Sequence, residues 1–244
     1  MGSPVIEVAG LRKSFGRRDQ QGVIESLDLT VRSGEFVTVV GASGCGKSTL
    51  LNIIAGLDQP TQGNVSVRGK VALMFQDATL LPWLTAIQNI KLALQLQGLG
   101  EPARTERATE LLELVRLGEA MHKRPHELSG GMKQRVALAR CLAQDASIVL
   151  MDEPLGALDA MTRDHLHDEI EALTADHGLT VVFVTHNMRE AVRLGDRVIL
   201  MGSNPGRIIH EEEVGLSRPR IIDSAEIATR AARLTMQLKE HVVS

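Results

Sequence analysis

Eight residues, Gly41-Ala42-Ser43-Gly44-Cys45-Gly46-Lys47-Ser48, put a lysine and a hydroxyl directly behind a glycine-rich stretch. The spacing is G-x-x-x-x-G-K-[ST], and its chemistry is phosphate binding. Glycines let consecutive backbone N–H groups turn onto phosphate oxygens, and a helix starting at the lysine adds its positive dipole end. Lys47 is then expected to reach the β- and γ-phosphates while the Ser48 hydroxyl ligates Mg2+. With glycine at roughly 7% of residues, chance yields this pattern in on the order of 1% of chains this long.

Two further segments add charge and donors. The apolar run Ile148–Met151 ends in Asp152-Glu153. One acid at such a strand end is expected to hold Mg2+, commonly through water, and the next to polarise an attacking water. Asp-Glu-Pro is also ordinary turn composition, so the phosphate loop upstream is what favours the chemical reading. About twenty residues earlier comes Ser129-Gly130-Gly131-Met132-Lys133-Gln134-Arg135. Serine ahead of a helical run is a good N-cap. The same helix end, opened by Ser-Gly-Gly, can also face a γ-phosphate.

The elements that must position these groups can be read from periodicity. Residues 4–8 and 23–31 alternate apolar and polar, predicting antiparallel strands around the turn-rich stretch 16–22. Residues 35–40 read as a short buried strand ending at Gly41, and 48–55 as a helix stopped by Gly56. Leucines at helical spacing over 86–98 and 103–117 predict a mostly helical insertion across about 77–145. Strand patterns return at 147–151, 179–184, 197–201 and 207–211, with a helix at 157–176, implying a mainly parallel sheet. The tail reads as one helix, with Asp223 and Glu226 as its cap and Ile227, Ala231, Leu234 and Leu238 as its apolar stripe.

Bulk properties narrow the class. Of 244 residues, 43% are hydrophobic, and 27 basic against 30 acidic side chains give a net charge of −3. That balance carries no general nucleic-acid footprint. Two cysteines, Cys45 and Cys141, argue against a disulfide framework and for a reducing compartment. No apolar run approaches the roughly 18–20 residues that span a bilayer, and no secretory signal is visible. The expectation is a cytoplasmic, soluble chain able to dock on a membrane partner.

Leu128-Ser-Gly-Gly-Met-Lys-Gln134, between the phosphate loop and the Asp-Glu strand, resembles the nucleotide-binding subunit of ABC transporters over residues 4–215. The resemblance implies an α/β P-loop NTPase fold. It has a mainly parallel RecA-like core sheet, an N-terminal antiparallel β portion and an inserted helical subdomain. On this reading residues 1–215 form one ATPase domain and 216–244 a helical tail. Gln76, after the strand Val71–Phe75, takes the place of the Q-loop glutamine that senses Mg2+ and water. Leu155–Asp159 resembles the D-loop, His186 the switch histidine, and Phe15 the aromatic that stacks on adenine. Gln76, His186 and Phe15 each have a plain alternative: a polar residue at a strand end, a cap for the helix starting near Asn187, a core phenylalanine.

By the same resemblance, two copies face head to tail and trap two ATP molecules. Each ATP lies on Lys47, Ser48 and Thr49 of one copy and meets Ser129, Gly130, Gly131, Gln134 and Asp159 of the other. Glu153 is the general base, His186 holds the γ-phosphate, and Mg2+ lies near Ser48, Gln76 and Asp152. The loop Asp77–Trp83 is expected to dock a partner helix, although Trp83 could equally pack on its own subdomain. Residues 75–83 and Asn204–Ile208 resemble the importer branch serving nitrate, aliphatic sulfonates and taurine. The implied partners are two transmembrane permeases and, indirectly, an extracytoplasmic solute-binding protein, at the cytoplasmic face of the inner membrane. An exporter or lipid-trafficking ATPase shares the fold. An ABC ATPase acting on DNA or the ribosome would carry a long coiled coil or tandem cassettes. A phosphate-loop kinase would leave Ser129–Gln134 unexplained.

Overall fold

A computed structural model describes residues 2–15, 21–156 and 158–242. Most of the turn-rich stretch 16–22, and Ala157, lie outside the described residues. In chain order the elements are β1 (Pro4–Phe15), β2 (Gln21–Arg32), β3 (Phe36–Gly41), α1 (Lys47–Ile54), β4 (Gln62–Val67) and β5 (Val71–Met74). Next come α2 (Ala86–Leu96), α3 (Glu101–Leu114), α4 (Gly130–Leu142), β6 (Ile148–Asp152) and α5 (Ala160–His177). The chain ends with β7 (Thr180–Thr185), α6 (Met188–Leu194), β8 (Arg197–Gly202), β9 (Arg207–Glu213) and α7 (Ala225–Val242).

The strands form two sheets, ordered β2-β1-β4 and β5-β6-β7-β3-β8-β9. The first is antiparallel; the second is parallel except for β9, which runs against β8. The central strands are continuous apolar runs because both faces are covered. Val37, Val39, Ile148, Leu150, Val182 and Val184 point one way, into a core with α1 and the antiparallel sheet. Phe36, Val149, Met151, Val181 and Phe183 point the other way, into a core with α2, α3, α4 and α5. A third core joins α6, β8 and α7.

The tail belongs to that third core. Ile227, Ala231 and Leu234 are buried and Leu238 packs beside them, so the stripe lies against the fold. Its cap falls one residue later than the sequence reading. The Ile227 N–H donates to Ser224 Oγ at 3.4 Å, while Asp223 pairs with Arg189 of α6. The capping residue is therefore Ser224.

Register decides the site. Val40 pairs with Thr185, Asp152 with Val184, and Met74 with Met151. The C-terminal ends of β3, β5, β6 and β7 thus lie along one edge, where ligands of open α/β sheets bind. Gly41, Gln76, Asp152-Glu153 and His186 all emerge there.

Candidate active site

The turn from β3 into α1 makes the phosphate loop. Gly46 caps α1 at φ +97°, and Ser48 and Thr49 open its first turn. Lys47 is buried, and its Nζ donates to the carbonyls of Gly41 at 2.9 Å and Ala42 at 3.0 Å. The ammonium therefore lies folded over the loop, 3.9 Å from Glu153 Oε1. Burial pushes the Cys45 thiol up, against the pull of Lys47, so it stays a protonated spectator.

Asp152 and Glu153 share the end of β6 but not an environment. Burial raises the Asp152 carboxyl above its ordinary value; a hydrogen bond from Ser48 opposes this and the Glu153 charge reinforces it. Ser48 and Asp152 therefore present hard oxygen donors side by side, which suits Mg2+. Among the described residues no group of three His, Cys, Asp or Glu could hold a metal alone. An Mg2+ ion held there would need its other ligands from phosphate and water, as when it accompanies a nucleotide.

Glu153 adopts φ +44°, a left-handed conformation unusual for a side chain with Cβ. Strain of this kind concentrates where surrounding contacts over-determine the backbone. Here the Glu153 N–H donates to the Val184 carbonyl at 3.0 Å, and its own carbonyl accepts from Gly156 at 3.1 Å. The carboxylate is left between two cations or donors, Lys47 on one side and His186 Nδ1 at 3.0 Å on the other. His186 itself is exposed and follows β7 directly. It does not cap α6; that is done by Asn187, whose Oδ1 accepts from Arg189 and Glu190.

Gln76 is exposed beyond β5, and α4 grips the backbone around it. Gln134 Nε2 donates to the Gln76 carbonyl at 2.8 Å, and Arg140 donates to the carbonyls of Ala78 and Thr79, each at 2.9 Å. At the other end of α4, Ser129 Oγ accepts from Met132 N at 3.3 Å, and Ser129 and Gly130 face solvent. Gly131 is packed so tightly that a Cβ would overlap the γ-methyl of Thr162 on α5. Among the described residues no hydrogen bond joins 129–131 to the phosphate loop. Gln134 is buried, and within this chain its side chain is committed to the Gln76 carbonyl. Its place as the fifth residue of α4 decides this, and the motif alone does not reveal it.

Asp159 is exposed and caps α5, accepting from Thr162 N at 3.0 Å. That backbone bond holds its carboxyl below the usual range. Phe15 is 52% exposed at the end of β1, which removes the core-phenylalanine reading. Lys13 Nζ lies 4.7 Å from its ring centroid. Beside it a groove of about 780 Å³ is lined by Ser14, Val23, Gly44 and Asn204.

One contributor escaped the motif reading. Gly206 donates its N–H to the Val23 carbonyl at 2.8 Å and accepts from Glu25 at 2.9 Å. A Cβ there would overlap the Cys45 carbonyl, so Asn204-Pro205-Gly206 buttresses the phosphate loop by close backbone approach. The Asn-Pro-Gly run was a visible signal, without a visible target.

The family model described as "ABC transporter" matches residues 24–156. This chain belongs to the ABC transporter family. It is 44% identical, over 96% of its length and 73% of the relative's, to the aliphatic sulfonates import ATP-binding protein SsuB 1 of Burkholderia lata. It is 47% identical to the SsuB of Pseudomonas putida, covering 90% of this chain and 80% of that one. A solved ATP-binding cassette, dimeric, in a post-hydrolysis state with ADP and Pi, superposes with a TM-score of 0.78 at 33% identity. That match covers 87% of this chain and 100% of the other. The α/β ABC cassette fold and ATPase activity are thereby established for this chain.

Proposed function

We propose that this chain is the ATP-hydrolysing motor subunit of an ABC importer for aliphatic sulfonates or a related small organic anion such as taurine or nitrate. The observation that carries the catalytic part is Glu153, fixed at positive φ between Lys47 and His186 beside the Ser48–Asp152 pair. The relatives named for sulfonate import carry the substrate class.

Phosphoryl transfer demands positioning and charge stabilisation more than covalent help. Backbone N–H groups of 41–49 cradle the phosphates, and Lys47 swings from the loop carbonyls to the β- and γ-oxygens. Ser48 and Asp152 would hold Mg2+, which when bound neutralises charge on the phosphates, and Gln76 borders that site. Glu153 takes a proton from a water in line with the γ-phosphorus as that water attacks and ADP leaves. His186 orients Glu153 and holds the γ-phosphate. Phe15 offers its exposed face to adenine, directly after Lys13 and Ser14, which line the groove that contains Gly44.

Two copies close head to tail, so that Ser129, Gly130, Gly131 and Asp159 of one meet ATP held by the other. Trp83 and its neighbours dock the permeases. Trp83 is 67% exposed. Its loop is held rigid by Asn89, which accepts from Leu81 N at 2.8 Å and donates to the Thr85 carbonyl at 3.0 Å. A groove of mixed polarity, lined by Leu57, Leu73, Phe75, Thr79 and Arg140, takes in the start of the same 75–83 segment. No helix among the described residues is long and apolar enough to cross a membrane. On the importer reading, attachment at the cytoplasmic face of the inner membrane runs through two permease subunits. An extracytoplasmic binding protein would deliver the anion to them.

Glu153→Gln tests the catalytic core. It removes the base but keeps the shape, so kcat should fall about 10²–10⁴-fold, with ATP now trapping a dimer visible by size-exclusion chromatography. Undiminished phosphate release would strip Glu153 of its role.

A further inference from the structure

Behind the turn that carries His186 lies an ion pair between buried Glu190 and half-buried Arg163. Glu190 of α6 is 4% exposed, and its Oε2 accepts from the Thr185 hydroxyl at 2.6 Å. Thr185 immediately precedes His186, and its Oγ1 also accepts from Asn187 N at 3.0 Å, closing the turn that carries the histidine. The other carboxylate oxygen of Glu190 faces Arg163 Nε at 3.5 Å and His167 Nε2 at 3.6 Å. Arg163, on α5, reaches back with Nη2 to the Leu158 carbonyl at 2.8 Å. Leu158 sits in the segment leading from Glu153 to Asp159. One small cavity is walled by Glu153, Gly156, Arg163, Thr185, His186 and Glu190.

We propose that Arg163 and Glu190 are positioning residues for ATP hydrolysis, locking the two segments that carry Glu153 and His186 into one unit. The Glu153–His186 hydrogen bond spans a gap between separate loops, one after β6 and one after β7. Nothing in the sheet ladder fixes those loops beyond Val184 and Thr185. The pair does so from behind, holding Leu158 with one end and Thr185 with the other. Burial alone would raise the Glu190 carboxyl, but the close approach of His167, the hydrogen bond from Thr185 and the Arg163 charge hold it below its ordinary value. It therefore stays ionised, as a salt-bridge partner must. A misplacement of about 1 Å at a reacting group can cost on the order of 10²-fold in rate, so a distant lock can govern kcat. A second arm of the cluster, Arg193 with Asp168, joins α5 to α6 but reaches neither loop, and it serves as a control.

The inference rests on the roles given above to Glu153 and His186. The experiment measures steady-state ATP hydrolysis by the full chain, with melting temperature and ATP-stabilised dimerisation alongside. Arg163→Gln and Glu190→Gln should each lower kcat about 10- to 100-fold, leaving KM for ATP within about threefold and dimerisation intact. The double variant should fall no further than the worse single one, because the two act as a unit. Arg163→Lys keeps the buried charge balanced yet cannot serve Leu158 and Glu190 together. It should lower kcat without lowering the melting temperature, and it decides the matter if either glutamine variant fails to fold. Asp168→Ala should leave turnover unchanged. Wild-type kcat in Arg163→Lys, or losses that multiply in the double variant, would overturn the positioning role. Glu153→Gln measured in parallel separates the failures: if it is dead while the Arg163 and Glu190 variants are fully active, only the pair is refuted. If it turns over normally, the catalytic reading falls and takes the pair with it.

Discussion

Asp152 pays in stability for its place beside Ser48. Its carboxyl holds a proton to higher pH in the folded chain than the ordinary 3.8 of the unfolded one, because burial disfavours the charge. Between those two values the native state binds more protons, so stability falls as pH rises through the window and the loss persists above it. Asp152→Asn, neutral and of the same shape, should therefore melt a few degrees higher than wild type at neutral pH, measured without nucleotide. The gap should close as pH falls through the window, while Mg2+-dependent hydrolysis is lost throughout. A variant that melts no higher at neutral pH would mean that Asp152 is not desolvated as its surroundings require. Gain of stability on loss of function is what an active-site carboxylate predicts. A purely structural acid, paired like Glu190, predicts the opposite sign.

At the scale of an element, α4 is one rod with work at both ends: Ser129-Gly130-Gly131 at its start, and Gln134 with Arg140 on the segment 76–79. Gly131 keeps that rod against α5, because a Cβ there would overlap the γ-methyl of Thr162. Gly131→Ala should cost about 1–3 kcal/mol through overpacking, read as a lowered melting temperature. Thr162→Ser removes the offending methyl and should recover most of that loss in the double variant. Additive losses would place the strain elsewhere. Elements such as β3, β6 and β7 were legible because strands covered on both faces are unbroken apolar runs. β4 was not legible: Gln62-Gly63-Asn64 is polar, and only Val65 and Val67 reach the core, so its pairing with β1 is a tertiary effect. Motif spacing located the phosphate loop, Asp152, Glu153 and His186 on one edge. It could not show that Gln134 turns inward, that Gly206 leans on Cys45, or that Arg163 and Glu190 stand behind the site. Those depend on which face of a helix or loop meets its neighbour, which no single stretch of sequence encodes.

For the whole molecule the central fact is a separation. The phosphate loop, Asp152, Glu153 and His186 share one sheet edge, whereas Ser129 and Gly130 open α4 toward solvent with no bond to that loop among the described residues. On the head-to-tail proposal, a two-fold dimer would bring each such patch to the other copy's nucleotide and create two equivalent composite centres. The solved cassette that this chain matches is dimeric with ADP and Pi bound. If the centres are composite, Lys47→Ala copies and Ser129→Arg copies should each be inactive alone. Mixed in equal amounts, half of the dimers are heterodimers. Each of these pairs the intact Lys47 of one copy with the intact Ser129 of the other at one centre and is doubly broken at the second. Hydrolysis should return to roughly a quarter of the wild-type number of working centres. Wild-type specific activity should also rise with chain concentration, because assembly is a mass-action step. Should the mixture stay silent, or the Ser129→Arg copy hydrolyse ATP unaided, each chain would hold a complete centre by itself, and the exposed start of α4 would be no more than a well-capped helix.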